Sequence, residues 1–151
     1  CSETKVLDVG CGPGKFCLIA ASTQRAKFYG IDQRQDLLEE GKKIAGAVNI
    51  HNLKFIHGNM MDLDWSRFDS FYLYNPFLEN ICQSIAIDQV IPLSVETFDQ
   101  YIDVVEYKLA CLPLGTRVVT YHGFGGIMPH GYRLQNNTRI GTDYLKLWVK
   151  Y

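Results

Sequence analysis

Several groups of residues in this sequence carry chemistry that can bind or react. In Asp8-Val9-Gly10-Cys11-Gly12-Pro13-Gly14-Lys15, three glycines stand at alternate positions directly after an apolar run. Glycine lets a backbone approach a ligand closely, and a helix opening on such a turn presents unpaired N–H groups to it. Asp32, followed by Gln33, closes a second apolar run. A carboxylate in that place can accept both hydroxyls of a ribose, or serve as an ordinary helix cap. In His57-Gly58-Asn59-Met60-Met61-Asp62, both Asn59 and Asp62 offer side-chain oxygens. Tyr74-Asn75-Pro76-Phe77 supplies an amide that both donates and accepts, beside a flat ring. His122 closes a later run and is the best placed proton acceptor. Tyr74, Glu79 and His130 are the other candidates, whereas His51 and His57 are assigned no proton-transfer role.

These groups need elements to hold them. Lys5–Val9, Lys27–Ile31, Leu53–Ile56, Phe68–Tyr74 and Thr116–Tyr121 read as buried strands. Lys15–Ala21 suits a short helix, and Leu37 to Val48 falls at helical spacing. The clearest helical stripe is Val95, Phe98, Tyr101, Ile102, Val105, Leu109 and Leu112, with Ser94 as its cap and Gly115 as its stop. Tyr132–Ile140 and Tyr144–Val149 read as a hairpin turning at Gly141-Thr142-Asp143. Strand–helix alternation implies right-handed βαβ units. The expected fold is therefore α/β: three layers around a doubly wound parallel sheet, made mixed by the C-terminal antiparallel hairpin. The whole chain, 1–151, reads as one domain, with Leu78–Leu93 as a loop or partial lid over the site. The glycine-rich Gly123–Gly131 stands where a helix would be expected.

Gly10-x-Gly12-x-Gly14 preceded by Leu7-Asp8-Val9 resembles motif I of the class I, Rossmann-like, S-adenosylmethionine-dependent methyltransferases. The resemblance implies S-adenosyl-L-methionine as cofactor and methyl transfer as the activity. By that likeness Asp8 positions the loop and the cofactor's amino group. Gly10, Cys11, Gly12 and Gly14 pack on its amino-acid and ribose parts. Asp32 takes the ribose hydroxyls and Gln33 lines the adenosine. Asn59 aligns with the side chain that accepts from the adenine amino group, and the Met60 N–H meets a ring nitrogen. Asp62 competes with Asn59 for that role. Asn75-Pro76-Phe77 looks like the N-P-P-[YF] motif of methyltransferases acting on nitrogen, with one proline missing. It implies that Asn75, Pro76 and Phe77 form the reaction centre, with Asn75 near the cofactor and Phe77 as an aromatic wall. Cofactor chemistry of this kind needs no metal.

The remaining composition bounds the reading. At 151 residues, with 47% hydrophobic and 21% charged, the chain has the length and apolar content of a folded domain. A formal net charge of −1 disfavours a nucleic-acid partner held through phosphates and favours a small-molecule or protein acceptor. No apolar run is long enough to span a membrane. Five cysteines without a C-x-x-C pair read as reduced, buried thiols in a cytoplasmic protein. The chain opens on Cys1 rather than Met, close to the glycine turn, so a preceding segment is expected. Three functions compete: an active methyltransferase, a non-catalytic cofactor- or partner-binding domain, and an NAD-dependent dehydrogenase. The glycine spacing disfavours the last.

Overall fold

In the computed structural model, which describes residues 3–82 and 91–151, the apolar runs become strands and the helical stripes become α-helices. The elements are β1 (Lys5–Val9), α1 (Lys15–Thr23), β2 (Lys27–Asp32), α2 (Gln35–Ala47), β3 (Leu53–His57), β4 (Ser70–Tyr74), α3 (Val95–Cys111), β5 (Arg117–Tyr121), β6 (Tyr132–Ile140) and β7 (Asp143–Lys150). The strands hydrogen-bond in the order β3-β2-β1-β4-β5-β7-β6, a mixed sheet with an antiparallel C-terminal hairpin, as expected. Two compact units divide the chain, Cys1–Tyr72 and Leu73–Tyr151.

In the first unit the parallel registers decide where the chemistry lies. β1 pairs with β2 from Lys5↔Lys27 to Val9↔Ile31. β2 pairs with β3 from Phe28↔Leu53 to Asp32↔His57. The three strands therefore end level, and the turns that follow Val9, Asp32 and His57 open at one edge. Leu7, Asp8 and Val9 are all buried, which is why this strand reads as a continuous run rather than an alternation. Trp65 and Phe71 stack at 4.9 Å within the core. The fourth strand begins at Ser70, two residues later than the sequence suggests. A 3₁₀ turn over Trp65–Arg67, capped by the Asp64 side chain on the Ser66 N–H, displaces its start.

In the second unit Ser94 caps α3 as expected, its hydroxyl accepting from the Thr97 N–H at 3.0 Å. The helix buries Tyr101, Val105 and Leu109. It ends at Cys111, earlier than Gly115 would allow, because Leu112 precedes Pro113 and is forced into extended backbone (φ −69°, ψ 156°). The Lys150 ammonium then donates to the carbonyls of Leu109, Ala110 and Leu112, meeting groups that the helix end leaves free. β5 and β7 pair antiparallel, as do β6 and β7. Ile140 faces Asp143, so the hairpin loop is only Gly141-Thr142 and Asp143 belongs to β7 rather than to the turn. The stretch from Gly123 to Gly131 forms no helix. Of the expected lid, residues 83–90 lie outside the described residues. Leu78–Asn80 is a single 3₁₀ turn.

No helix among the described residues is long and apolar enough to cross a membrane. The expectation of buried thiols holds for Cys17 alone. Cys11 and Cys82 are partly exposed and Cys111 is exposed, because Cys111 sits on the last turn of α3. Cys1 lies outside the described residues.

Candidate functional site

The glycine turn is built by left-handed residues at three alternate positions: Gly10 (φ 69°), Gly12 (φ 54°) and Gly14 (φ 77°). Side-chain-bearing residues rarely hold such angles. The turn's own amides are spent on the end of β2 and on the turn itself. The N–H groups of Gly10 and Cys11 both donate to the Ile31 carbonyl at 3.0 Å, and the Gly14 N–H donates to the Cys11 carbonyl at 2.9 Å. The Gly12 N–H donates to Asp32 Oδ2 at 2.9 Å. The expectation of unpaired N–H groups concerned the opening of α1 at Lys15; the glycine turn itself offers no free amide. What it presents instead is bare backbone: a Cβ built on Gly12 meets nothing within 4 Å. Cys11 contributes backbone rather than thiol, for its side chain folds over Gly30, where a Cβ would fall 2.6 Å from Sγ.

Asp32 is the hinge of this geometry. Oδ2 takes the Gly12 N–H and Oδ1 takes the Arg34 N–H, each at 2.9 Å. The side chain is 8% exposed, and each oxygen keeps a further lone pair. Beneath the turn, Asp8 is buried, and that burial pushes its carboxyl up to about 7. Donation from the Cys17 thiol at 3.5 Å pulls the value down, and the Asp32 charge pushes it up further. Burial likewise raises the thiols of Cys11 and Cys17, with the Asp8 charge adding to it.

The loop after β3 is organised by Asn59. Its Oδ1 accepts the Met61 N–H at 3.0 Å and its Nδ2 donates to Gln33 Oε1 at 3.3 Å. The Gly58 N–H donates to the Asp32 carbonyl, and His57 Nε2 lies 3.1 Å from the Gln33 carbonyl. Asp8, the glycine turn, Asp32, Gln33, Asn59 and Met60 are thus collected within one unit. Met60 is 5% exposed and its carbonyl accepts the Trp65 indole N–H, so its side chain is core. Asp62 is exposed, and its N–H closes the loop on the Asn59 carbonyl.

The remaining candidates belong to the second unit. Asn75 is left-handed (φ 42°), and its N–H donates to the Gly123 carbonyl at 3.0 Å. Its side-chain amide makes no hydrogen bond among the described residues. Pro76 follows it, partly exposed. Phe77 is 5% exposed and packs on Tyr101 with ring centroids 5.0 Å apart. The aromatic wall expected of Phe77 is therefore turned inward, and Tyr74, 55% exposed, is the ring that this turn presents. His122, also left-handed (φ 56°), follows β5 with Nδ1 2.7 Å from Asp143 Oδ2. Nothing in the spacing pointed to Asp143, because only the hairpin brings it to His122. His130 lines a separate groove of about 680 Å³ between α3 and the loop after β5, with Tyr107, Ala110 and Met128. His51 lies ahead of β3, away from the level strand ends, and Glu79 sits on the 3₁₀ turn after Phe77. No group of three His, Cys, Asp or Glu among the described residues is arranged to hold a metal ion.

A family model described as a methyltransferase domain matches residues 1–110. The chain belongs to the methyltransferase-domain family. The family's cofactor is S-adenosylmethionine, and the dehydrogenase alternative falls away with this membership. Curated relatives of this methyltransferase domain align with short stretches of it. A demethylmenaquinone methyltransferase of Geobacillus stearothermophilus is 38% identical over 61 residues, 39% of this chain and 26% of that protein. A tRNA (guanine-N(7)-)-methyltransferase of Microcystis aeruginosa is 40% identical over 55 residues, 36% of this chain and 26% of that protein. The alignments thus span about a quarter of these relatives' length.

Solved structures match the methyltransferase domain over most of its length. An RNA methyltransferase from Salinibacter ruber, in complex with S-adenosyl-L-homocysteine, superposes with a TM-score of 0.67 at 20% identity, covering 97% of this chain and 80% of that one. TrmN from Thermus thermophilus gives 0.67 at 22% identity, covering 98% and 44%. The likeness is one of fold. In this methyltransferase domain the space in front of Gly12 and Gly58, together with the lone pairs left on Asp32, fits a ligand carrying a ribose diol.

Proposed function

We propose that this domain transfers the methyl group of S-adenosylmethionine to an acceptor held at the turn after β4. The observation that carries the cofactor half is the Asp32 carboxylate, fixed by the Gly12 and Arg34 amides at the level end of three parallel strands. The cofactor, when bound, supplies a methyl group on a sulfonium, already activated for in-line displacement. The protein's task is then alignment and exclusion of water. Asp32 holds the ribose hydroxyls. The backbone of Gly10, Cys11, Gly12 and Gly14 gives passage to the amino-acid part, with Asp8 beneath it. Gln33 and the Met60 N–H line the adenine. Asn59 acts chiefly by holding that loop in shape, since its oxygen already serves the Met61 N–H. The left-handed Asn75, with its amide unspent among the described residues, orients the acceptor.

The acceptor's chemical kind is open to either a small molecule or a macromolecule. A net charge of −1 weighs against nucleic acid, yet the similar proteins of Microcystis aeruginosa and Salinibacter ruber are both named for RNA, which weighs the other way. A cytoplasmic location belongs to the same proposal, supported by cysteines that are all free among the described residues.

The test is calorimetric and kinetic. S-adenosylhomocysteine should bind and raise the melting temperature through mass action. Asn75→Ala should then leave that affinity unchanged and lower turnover on any acceptor found by screening with labelled cofactor. Absence of binding at millimolar S-adenosylhomocysteine overturns the cofactor half. Normal turnover by Asn75→Ala overturns the acceptor half.

A further inference from the structure

The ends of β4 and β5 carry two non-glycine residues in left-handed backbone, Asn75 and His122, and these ends are tied by the bond from the Asn75 N–H to the Gly123 carbonyl. Such conformations persist where the surroundings over-determine them, and they concentrate at functional sites. At His122 the surroundings are specific. Nδ1 lies 2.7 Å from Asp143 Oδ2, so the ring donates its Nδ1–H to a carboxylate. Asp143 is itself held by the Tyr144 N–H on Oδ1 at 2.7 Å. Nε2 is left as the acceptor nitrogen and has no partner among the described residues. The ring lies against Tyr74, with centroids 5.6 Å apart and planes 26° apart, and against Tyr121 at 4.3 Å. Tyr121 is fixed in turn by its hydroxyl on the Ile140 carbonyl. The other charged or titratable groups packed here are therefore the two tyrosine hydroxyls and Asp143.

A histidine with one nitrogen on a carboxylate and the other vacant is a proton acceptor of fixed tautomer. Methyl transfer to a neutral amine, or to a ring nitrogen with a free lone pair, needs no such group. Transfer to a hydroxyl, a phenol or a ring N–H does. We infer that His122 takes the proton from a methyl acceptor of that second class, a planar ring bearing a dissociable O–H or N–H, with Asp143 as its positioning residue and the exposed Tyr74 ring as the surface against which the acceptor lies. The acceptor atom forms its bond to the methyl carbon while the carbon–sulfur bond breaks, its electron pair stays on sulfur, and the acceptor's proton passes to His122 Nε2. This rests on the reading of the turn after β4 as the acceptor site.

The first test needs neither cofactor nor acceptor. Long-range ¹H–¹⁵N NMR of the imidazoles should show neutral His122 protonated on Nδ1 in the wild type. In Asp143→Asn it should show a shifted or mixed tautomer. A wild-type His122 protonated on Nε2, or one indifferent to Asp143→Asn, overturns the inference. The second test uses His122→Gly, which the left-handed backbone accepts without strain. With labelled cofactor and a panel of phenols, lactams and alkylamines, His122→Gly should lose about 100-fold or more in kcat on the proton-bearing rings. S-adenosylhomocysteine affinity should not change, and added imidazole should restore part of the rate. Asp143→Asn should lower kcat with little change in KM, and Asp143→Glu should recover part of it. If Asn75→Ala is impaired while His122→Gly turns over normally, the inference fails and the acceptor site stands. If both turn over normally, both fail.

Discussion

The Gly12 N–H donates to Asp32 Oδ2 at 2.9 Å, so the carboxylate at the end of β2 holds the glycine turn that follows β1. Asp32 is thus both a scaffold for the turn and the proposed ribose acceptor, and its two duties give one prediction. Asp32→Ala leaves the amides of Gly12 and Arg34 without their partner, each worth about 1–3 kcal/mol when buried. It should lower the melting temperature and weaken S-adenosylhomocysteine together. Calorimetry beside thermal unfolding of one sample checks this, and an unchanged dissociation constant removes Asp32 from the ribose.

Phe55 fills the space left by two glycines. A Cβ on Gly14 would lie 2.4 Å from its ring, and one on Gly41 would lie 2.6 Å from the ring and 2.6 Å from the Pro13 carbonyl oxygen. Gly14→Ala should cost about 2–4 kcal/mol, combining left-handed strain with overpacking. Phe55→Leu alone leaves a smaller side chain, and in that background the Gly14→Ala penalty should shrink by about 1 kcal/mol or more, since residues in contact couple. Denaturant unfolding of the four proteins in the cycle measures it. Purely additive costs would mean that the ring is not what excludes the Cβ.

Asn59 is expected to act through the loop. Asn59→Asp retains an oxygen for the Met61 N–H and should keep affinity close to the wild type, at the loss of the bond to Gln33. Asn59→Leu removes both bonds and should lower stability and S-adenosylhomocysteine affinity together, by about 1–3 kcal/mol. Asp62→Ala, on an exposed side chain, should be nearly silent in both. An affinity loss confined to Asp62→Ala would transfer the adenine contact to that residue.

Asp8 gives the pH dependence. Its carboxyl is raised by burial from 3.8 to about 7, so the fold prefers the protonated form. Between pH 4 and 7 the unfolded chain releases this proton while the folded chain keeps it. Stability therefore falls as pH rises through that window and levels off above it, by about 4 kcal/mol in all. Asp8→Asn, compared with wild type across the window, should remove this slope and be the more stable protein at pH 7.5. Parallel pH profiles of melting temperature would refute the assignment.

The glycine spacing, the acid after the second run and the strand–helix alternation determined the family and the sheet from the sequence, because close backbone approach and right-handed crossovers leave few alternatives for those residue types. The end of α3 and the start of β4 were less legible, because a proline two positions past α3 and a 3₁₀ turn ahead of β4 overrode the apolar pattern. Only tertiary structure decided which way side chains face. Phe77 turns inward against Tyr101, a neighbour twenty-four residues on, so the exposed ring is that of Tyr74. Likewise His122 and Asp143 meet because the β6–β7 hairpin brings its turn back to the end of β5, a closure set by antiparallel register and invisible in the spacing of either residue.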